Sequence, residues 1–316
     1  VRTRPLTELG SRDLRPLLQE EVAHWARELS WDYSDVCSAV ASGLDRRALI
    51  GYVVQDGGRP LAYCYYMLDS GRAIVGSVFA TEEHRGRGLE EELVQAVLAA
   101  ALRGRTNERV ECQTLFSTSR AADERFGQAG FASRGRAYLV RSLQEPLPLE
   151  APSEWRLRPL RREDIPTVAR VIHRSHEGSV DAALNLTYAT PSHCRSFVET
   201  LVLRAGCGRF DAEASFVAEG PGGVAGALLA SQLSRTNGHV CQVSVLPEAH
   251  GRGLGRTLMA ACLDALRRQG RVSASLSVTV ENRRAYRLYE SLGFRLHRPF
   301  AAHAWVRPPA RISLPA

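Results

Sequence analysis

Two hydrophobic periods alternate along this chain, and their order occurs twice. Leu14, Leu17, Leu18, Val22, Trp25 and Leu29 recur at three- and four-residue steps, which predicts a helix over 11–30. Strands are predicted at 48–54, 61–68 and 72–79, separated by the turn sequences Asp56-Gly57-Gly58 and Asp69-Ser70-Gly71. The loop 83–89 leads into a helix ending near 102. A strand at 109–116, a helix at 121–129 and a closing hairpin from Gly130, with its last strand at 137–143, complete the first series.

The second series opens at Trp155-Arg156-Leu157-Arg158-Pro159-Leu160, an echo of Val1-Arg2-Thr3-Arg4-Pro5-Leu6. It predicts a helix from 163, one or two helices within 181–203, and strands at 214–219, 224–233 and 239–246. A second glycine loop, a long helix, a strand at 272–280, a helix at 283–292 and a hairpin from Gly293 to about 306 follow. Gly88 and Gly253 are 165 residues apart, and Gly130 and Gly293 are 163 apart. Landmarks that keep their spacing across both halves imply a duplicated domain. The expected class is α/β, with two tandem domains, each a mixed, mostly antiparallel sheet flanked by helices. The expected division is 1–145, a proline-rich linker at 146–153, and 154–316.

The stretch Val243 to Gln269 carries the most chemistry. An apolar strand ends at Pro247, and Gly251, Gly253 and Gly255 alternate before a helix whose Leu254, Leu258, Cys262 and Leu266 share one face. The first amides of a helix have no internal acceptor, and the helix dipole adds positive potential there. Glycines let an anion approach, and His250, Arg252 and Arg256 add donors, so a phosphate or pyrophosphate is the expected ligand. A Walker loop is excluded because the chain has no lysine. A dinucleotide fingerprint lacks its third glycine, and no acid lies between Asp264 and Glu281.

Charge and cysteine content change this picture little. The net charge of +7 comes from arginines spread over both halves, without the clustered basic face of a nucleic-acid binder. Seven cysteines form no C-x-x-C pair and read as reduced thiols of a cytoplasmic protein, with neither a disulfide frame nor a metal site expected. The chain contains no apolar run of 18 residues, so no membrane span is expected.

Two signatures together resemble the GNAT acetyltransferase superfamily. The first is His250-Gly251-Arg252-Gly253-Leu254-Gly255, against the family's Gln/Arg-x-x-Gly-x-Gly/Ala. The second runs from Asn282 through Ala285, Leu288 and Tyr289 to Gly293-Phe294, where every fixed position of Asn-x-x-Ala-x-x-Leu-Tyr-x-x-x-Gly-Phe is met. The resemblance is specific for 155–306 and looser for 1–143. It implies two tandem GNAT-type domains and direct acetyl transfer from acetyl-CoA to an amine in a ternary complex.

It further implies that the loop from Gly251 to Arg256, with His250, Leu254 and Thr257 beside it, holds the pyrophosphate. The backbone of Val243 and Val245 would pair with the pantetheine arm, Asn282 would hold the cofactor or the local backbone, and Tyr289 would protonate the departing thiolate. The base stays open among Glu177, Asp181, His239 and Glu219, with Glu177 carried forward. Asp181, Asn185 and Tyr188 would line the acceptor pocket. The acceptor would be a small-molecule or peptide amine, with no nucleic acid or membrane as partner, and the protein a monomer or homodimer.

The first half departs from the pattern. Glu90 stands where the second half has Gly255, and Glu91 and Glu92 replace Arg256 and Thr257. Phe126 replaces Tyr289 and Ser119 replaces Asn282. Carboxylates at that helix start repel a pyrophosphate. The expectation is one catalytic domain, the second, beside a degenerate first. The alternative is a non-catalytic acyl-CoA-binding or regulatory protein.

Overall fold

A computed structural model describes residues 1–69, 71–104, 107–144, 155–204 and 207–308. The segment read as the linker, 146–153, lies outside the described residues. The first series comprises β1 (Arg2–Pro5), α1 (Ser11–Leu29), α2 (Ser34–Asp45), β2 (Ile50–Asp56), β3 (Arg59–Asp69) and β4 (Arg72–Ala80). It continues with α3 (Leu89–Arg103), β5 (Arg109–Gln113), α4 (Ala122–Gln128) and β6 (Ala132–Ser142). The second comprises β7 (Arg156–Pro159), α5 (Ile165–His176), α6 (Val180–Leu184), α7 (Pro191–Arg204), β8 (Arg209–Phe210) and β9 (Phe216–Gly220). It ends with β10 (Gly223–Gln232), β11 (Asn237–Val245), α8 (Leu254–Arg268), β12 (Ser273–Thr279), α9 (Arg283–Ser291) and β13 (Arg295–Val306).

The fold is α/β and forms two compact units, whose residues interleave along the chain. The first holds 1–21, 36–133 and 301–316, and the second holds 22–35 and 134–300. In the first, the sheet order is β1-β2-β3-β4-β5, completed by residues 302–306 of β13. In the second it is β7-β9-β10-β11-β12, completed by residues 136–142 of β6. Each sheet is antiparallel except for one central parallel pair, β4 with β5 and β11 with β12. The predicted face of α8 is the buried one: Leu254, Leu258, Cys262 and Leu266 are each 1% exposed or less.

The structure corrects three readings. The two closing hairpins are single long strands, β6 and β13. Neither contains a turn pair such as Asn-Gly, and each continues straight into the sheet it completes. The strand at 109–116 stops at Gln113, and Thr114–Phe116 form a 3₁₀ turn. Helix α2 was not anticipated, because Cys37, Val40 and Leu44 make its buried face among small residues that blur the period. Gly43 brings that helix close to Leu49, whose Cγ would lie 2.8 Å from an added Cβ.

Because residues 22–35 and 134–142 belong to the second unit, a fragment of 154–316 lacks its edge strand and leaves β12 unpaired on that side. Such a fragment is expected to be insoluble or to melt without a cooperative transition. Differential scanning calorimetry checks this: a sharp transition near that of the full chain would overturn it. Among the described residues, no helix is long and apolar enough to cross a membrane.

Candidate functional site

Strands β11 and β12 pair over Asn237–Val240 and Ser273–Leu276 only. Beyond Val240, no further pair joins them among the described residues, so one edge of β11 is left for a ligand. β11 then enters the loop in which Gly251 and Gly253 take φ of +77° and +76°, a backbone state that glycine adopts without strain. The first intrahelical bond of α8 runs from the Thr257 amide to the Gly253 carbonyl, leaving the amides of 253–256 without a helical acceptor. Gly255 packs toward α9: an added Cβ would lie 3.4 Å from Leu288, an ordinary contact.

These elements wall a cleft of about 330 Å³. Val243, Val245, His250, Gly251, Gly253, Leu254, Gly255, Arg256 and Asn282 all line it. Arg252 and Thr257 do not. Arg252 stacks on Trp155, 5.0 Å from the ring centroid, and Thr257 is buried with its hydroxyl donating to the Gly253 carbonyl at 3.3 Å. The His250 ring turns back on the strand, with Nε2 2.9 Å from the Val245 carbonyl oxygen. Asn282 caps α9 by accepting from the Ala285 amide at 3.2 Å, and its Nδ2 donates to Asp181 at 3.3 Å.

A smaller pocket of about 100 Å³ adjoins the cleft. Asp181, Tyr188, Gln242, Thr279 and Arg136 are among its walls. Asp181 accepts from the Thr279 hydroxyl, and Tyr188 donates to Gln242 Oε1 at 3.1 Å. Asn185 is not part of it; its side chain accepts from the Thr187 amide at 2.9 Å and shapes the local turn.

Five residues line both spaces: His176, Val243, Asn282, Ala285 and Tyr289. Tyr289 and His176 are the two with a titratable group. Burial pushes the Tyr289 phenol up to about 12, with the Asp181 carboxylate adding to the rise and Arg136 opposing it. His176 ends α5 and stacks flat on Tyr188, with ring centroids 3.9 Å apart. Its Nδ1 lies 2.9 Å from the Ile172 carbonyl, which can only accept, so Nδ1 carries the hydrogen and Nε2 the lone pair. Burial holds its pKa below the ordinary histidine value, keeping the ring neutral.

The four residues among which the base was sought fare differently. Asp181 is in the pocket. Glu177 is exposed, lies in neither space and sits 3.7 Å from His173. Glu219 is engaged by Arg158 at 2.7 Å. His239 is buried, with Nδ1 2.9 Å from the Ser275 hydroxyl. His239 also groups with Cys207 and Cys241, their ligand-type atoms lying within 4.8 Å of one another. His176 was missed although a signal existed. Val168 and Ile172, both fully buried, define a four-residue row on α5 that His176 continues.

The first unit repeats the backbone of this site with different side chains. Gly86 and Gly88 take φ of +68° and +87°, and the Ser119 hydroxyl accepts from the Ala122 amide at 3.3 Å, three residues on, as Asn282 accepts from Ala285. Glu90 is fully buried there, accepting from Thr118 at 3.0 Å. The gap beside β4 is filled by the chain itself: Val78 bridges Ser117, and the Thr118 amide donates to the Val78 carbonyl at 3.0 Å. Phe126 is buried and stacks on His303 at 4.1 Å.

The acetyltransferase (GNAT) family model matches residues 12–131 and 183–294. A mycothiol acetyltransferase of Gordonia bronchialis is 32% identical over 227 residues, covering 66% of this chain and 72% of that protein. A GCN5-related N-acetyltransferase from Sphaerobacter thermophilus superposes with a TM-score of 0.69 at 20% identity, covering 99% of this chain and 98% of that one. A tandem GNAT protein from the clavulanic acid biosynthesis pathway gives 0.64 at 18% identity, covering 98% and 99%. At such identities, the structural likenesses speak for the fold alone.

Proposed function

The chain belongs to the acetyltransferase (GNAT) family and is an acyltransferase, and from that premise we propose that its second unit transfers acetyl from acetyl-CoA to an amine. The observation that carries this reading is the set of five residues shared by the cleft and the pocket. A cofactor arm in one and an acceptor in the other would meet there, between His176 and Tyr289. Acetyl-CoA would supply an activated thioester. The amides of 253–256 and Arg256 would hold its pyrophosphate, and the free edge of β11 at Val243 its arm. Thr257 and Arg252 would support the loop from behind.

His176 Nε2 would accept the amine proton as the nitrogen attacks the thioester carbonyl. Tyr289 would donate a hydrogen bond to the sulfur as the carbon–sulfur bond breaks. The products are then an amide and free CoA. Glu177 has no part in this scheme, and Asp181 orients the pocket through Thr279 and Asn282. The reaction class rests on the family and on this geometry. The acceptor of the mycothiol acetyltransferase is not carried over at 32% identity.

Calorimetry with acetyl-CoA tests the assignment to one unit. One site per chain is expected. Gly255→Glu, which sets a carboxylate where Glu90 stands in the first half, should weaken binding roughly 10–100-fold through charge repulsion. Two equivalent sites, or unchanged binding in the variant, would sink the proposal.

A further inference from the structure

Arg136 is the one arginine lining the small pocket, and it reaches the pocket from β6. It stands opposite Thr279 in the antiparallel register of β6 and β12. Its guanidinium carbon lies over the Phe300 ring, 5.7 Å from the ring centroid. A ring face offers the group attraction but no hydrogen-bond acceptor of ordinary strength. Its Nε is buried without a hydrogen-bond partner among the described residues. No carboxylate pairs with it among the described residues, although Asp181 lines the same pocket. Asp181 is committed to Thr279 and Asn282, so the pocket holds a carboxylate with protein partners and a guanidinium without them.

A guanidinium whose Nε is buried without a partner is costly unless a ligand completes it. Its planar fork fits a carboxylate or phosphate with two parallel hydrogen bonds. The pocket, about 100 Å³, is smaller than the ~150 Å³ cavity that takes a benzene ring, so an anion held there lies close to the reacting nitrogen. We infer that the acceptor amine is carried on a molecule with an anionic group a few bonds away, and that Arg136 holds this group. The inference rests on the acetyl-transfer reading of the same site. It makes Arg136 a residue that selects the acceptor, supplied by a strand from the first half of the chain.

The test uses the full chain with acetyl-CoA and matched amines: glycine against glycinamide, β-alanine against propylamine, and O-phosphoethanolamine against ethanolamine. CoA release gives kcat/KM, and calorimetry on the complex with CoA gives affinity without turnover. The anion-bearing member of each pair is expected to win by roughly 10–100-fold, the weight of a hydrogen bond to a charged group. The carboxylate and phosphate arms identify which anion is read. Arg136→Gln should remove the preference through KM while acetyl-CoA affinity holds, and Arg136→Lys should restore part of it.

Equal use of both members by the wild type, or a preference that survives in Arg136→Gln, overturns the inference. Arg136-dependent anion binding without transfer to any amine would keep the anion site and sink the acetyl-transfer reading. Transfer to neutral amines alone would do the reverse. If no anion-bearing compound either binds or reacts, the inference falls.

Discussion

His176→Asn is expected to lower kcat roughly 10²–10⁴-fold, the range for losing a general base, with acetyl-CoA affinity nearly unchanged. His176 is placed where the cleft meets the pocket, and its Nδ1 is tied to the Ile172 carbonyl, so the substitution removes Nε2 as a proton acceptor. The pH profile separates this from a packing effect. Burial holds the folded-state pKa of His176 below its ordinary value, so the base is neutral above that depressed pKa and protonated below it. Activity should rise with pH through a limb below 6.5 and stay flat above it. In the variant, that limb should vanish. A variant within about threefold of wild type, with the limb intact, would hand the role to Asp181 or to water.

Tyr289→Phe is expected to cost a similar factor, roughly 10²–10⁴ in kcat, by removing one hydroxyl from beside the sulfur. Folding should hardly change, because Phe126 occupies the matching place in the first unit as a fully buried ring. With the phenol raised to about 12, full proton transfer to a thiolate of pKa near 8.5 is uphill by about 5 kcal/mol as a separate step. In the proposed scheme the hydroxyl therefore donates as the bond breaks, coupled to proton loss from the amine to His176. It also follows that ionisation of Tyr289 produces a descending limb only toward pH 12, beyond ordinary assay conditions. A wild-type profile that falls between pH 8 and 9 would exclude Tyr289 as the group responsible. Near-normal turnover of the Phe variant would make the ring a packing element.

The glycine loop and Tyr289 were legible because each belongs to a short stretch whose geometry is local. Glycines at positive φ before a helix, and Asn282 capping the helix that carries Tyr289, need only neighbouring residues. The same locality explains why replacements in the first half could be matched one by one. His176 was not among the residues considered for the base, although its neighbour Glu177 was. One residue along a helix turns a side chain by about 100°, and the row of buried positions at Val168 and Ile172 leads to His176, not to Glu177.

The sequence by itself determined the duplication, the family, the glycine loop and the residues of the helix that carries Tyr289, since these depend on period, turn chemistry and spacing. The tertiary structure decided which strands complete which sheet, and with that the arrival of Arg136 opposite Thr279. It also decided that residues 117 and 118 fill the strand gap of the first unit, and that Cys207, His239 and Cys241 gather although 32 residues separate the first two. Strand partnership and side-chain encounters of this kind are non-local. They are set by which edges remain open once the helices have covered each sheet, and no period or motif in the chain encodes them.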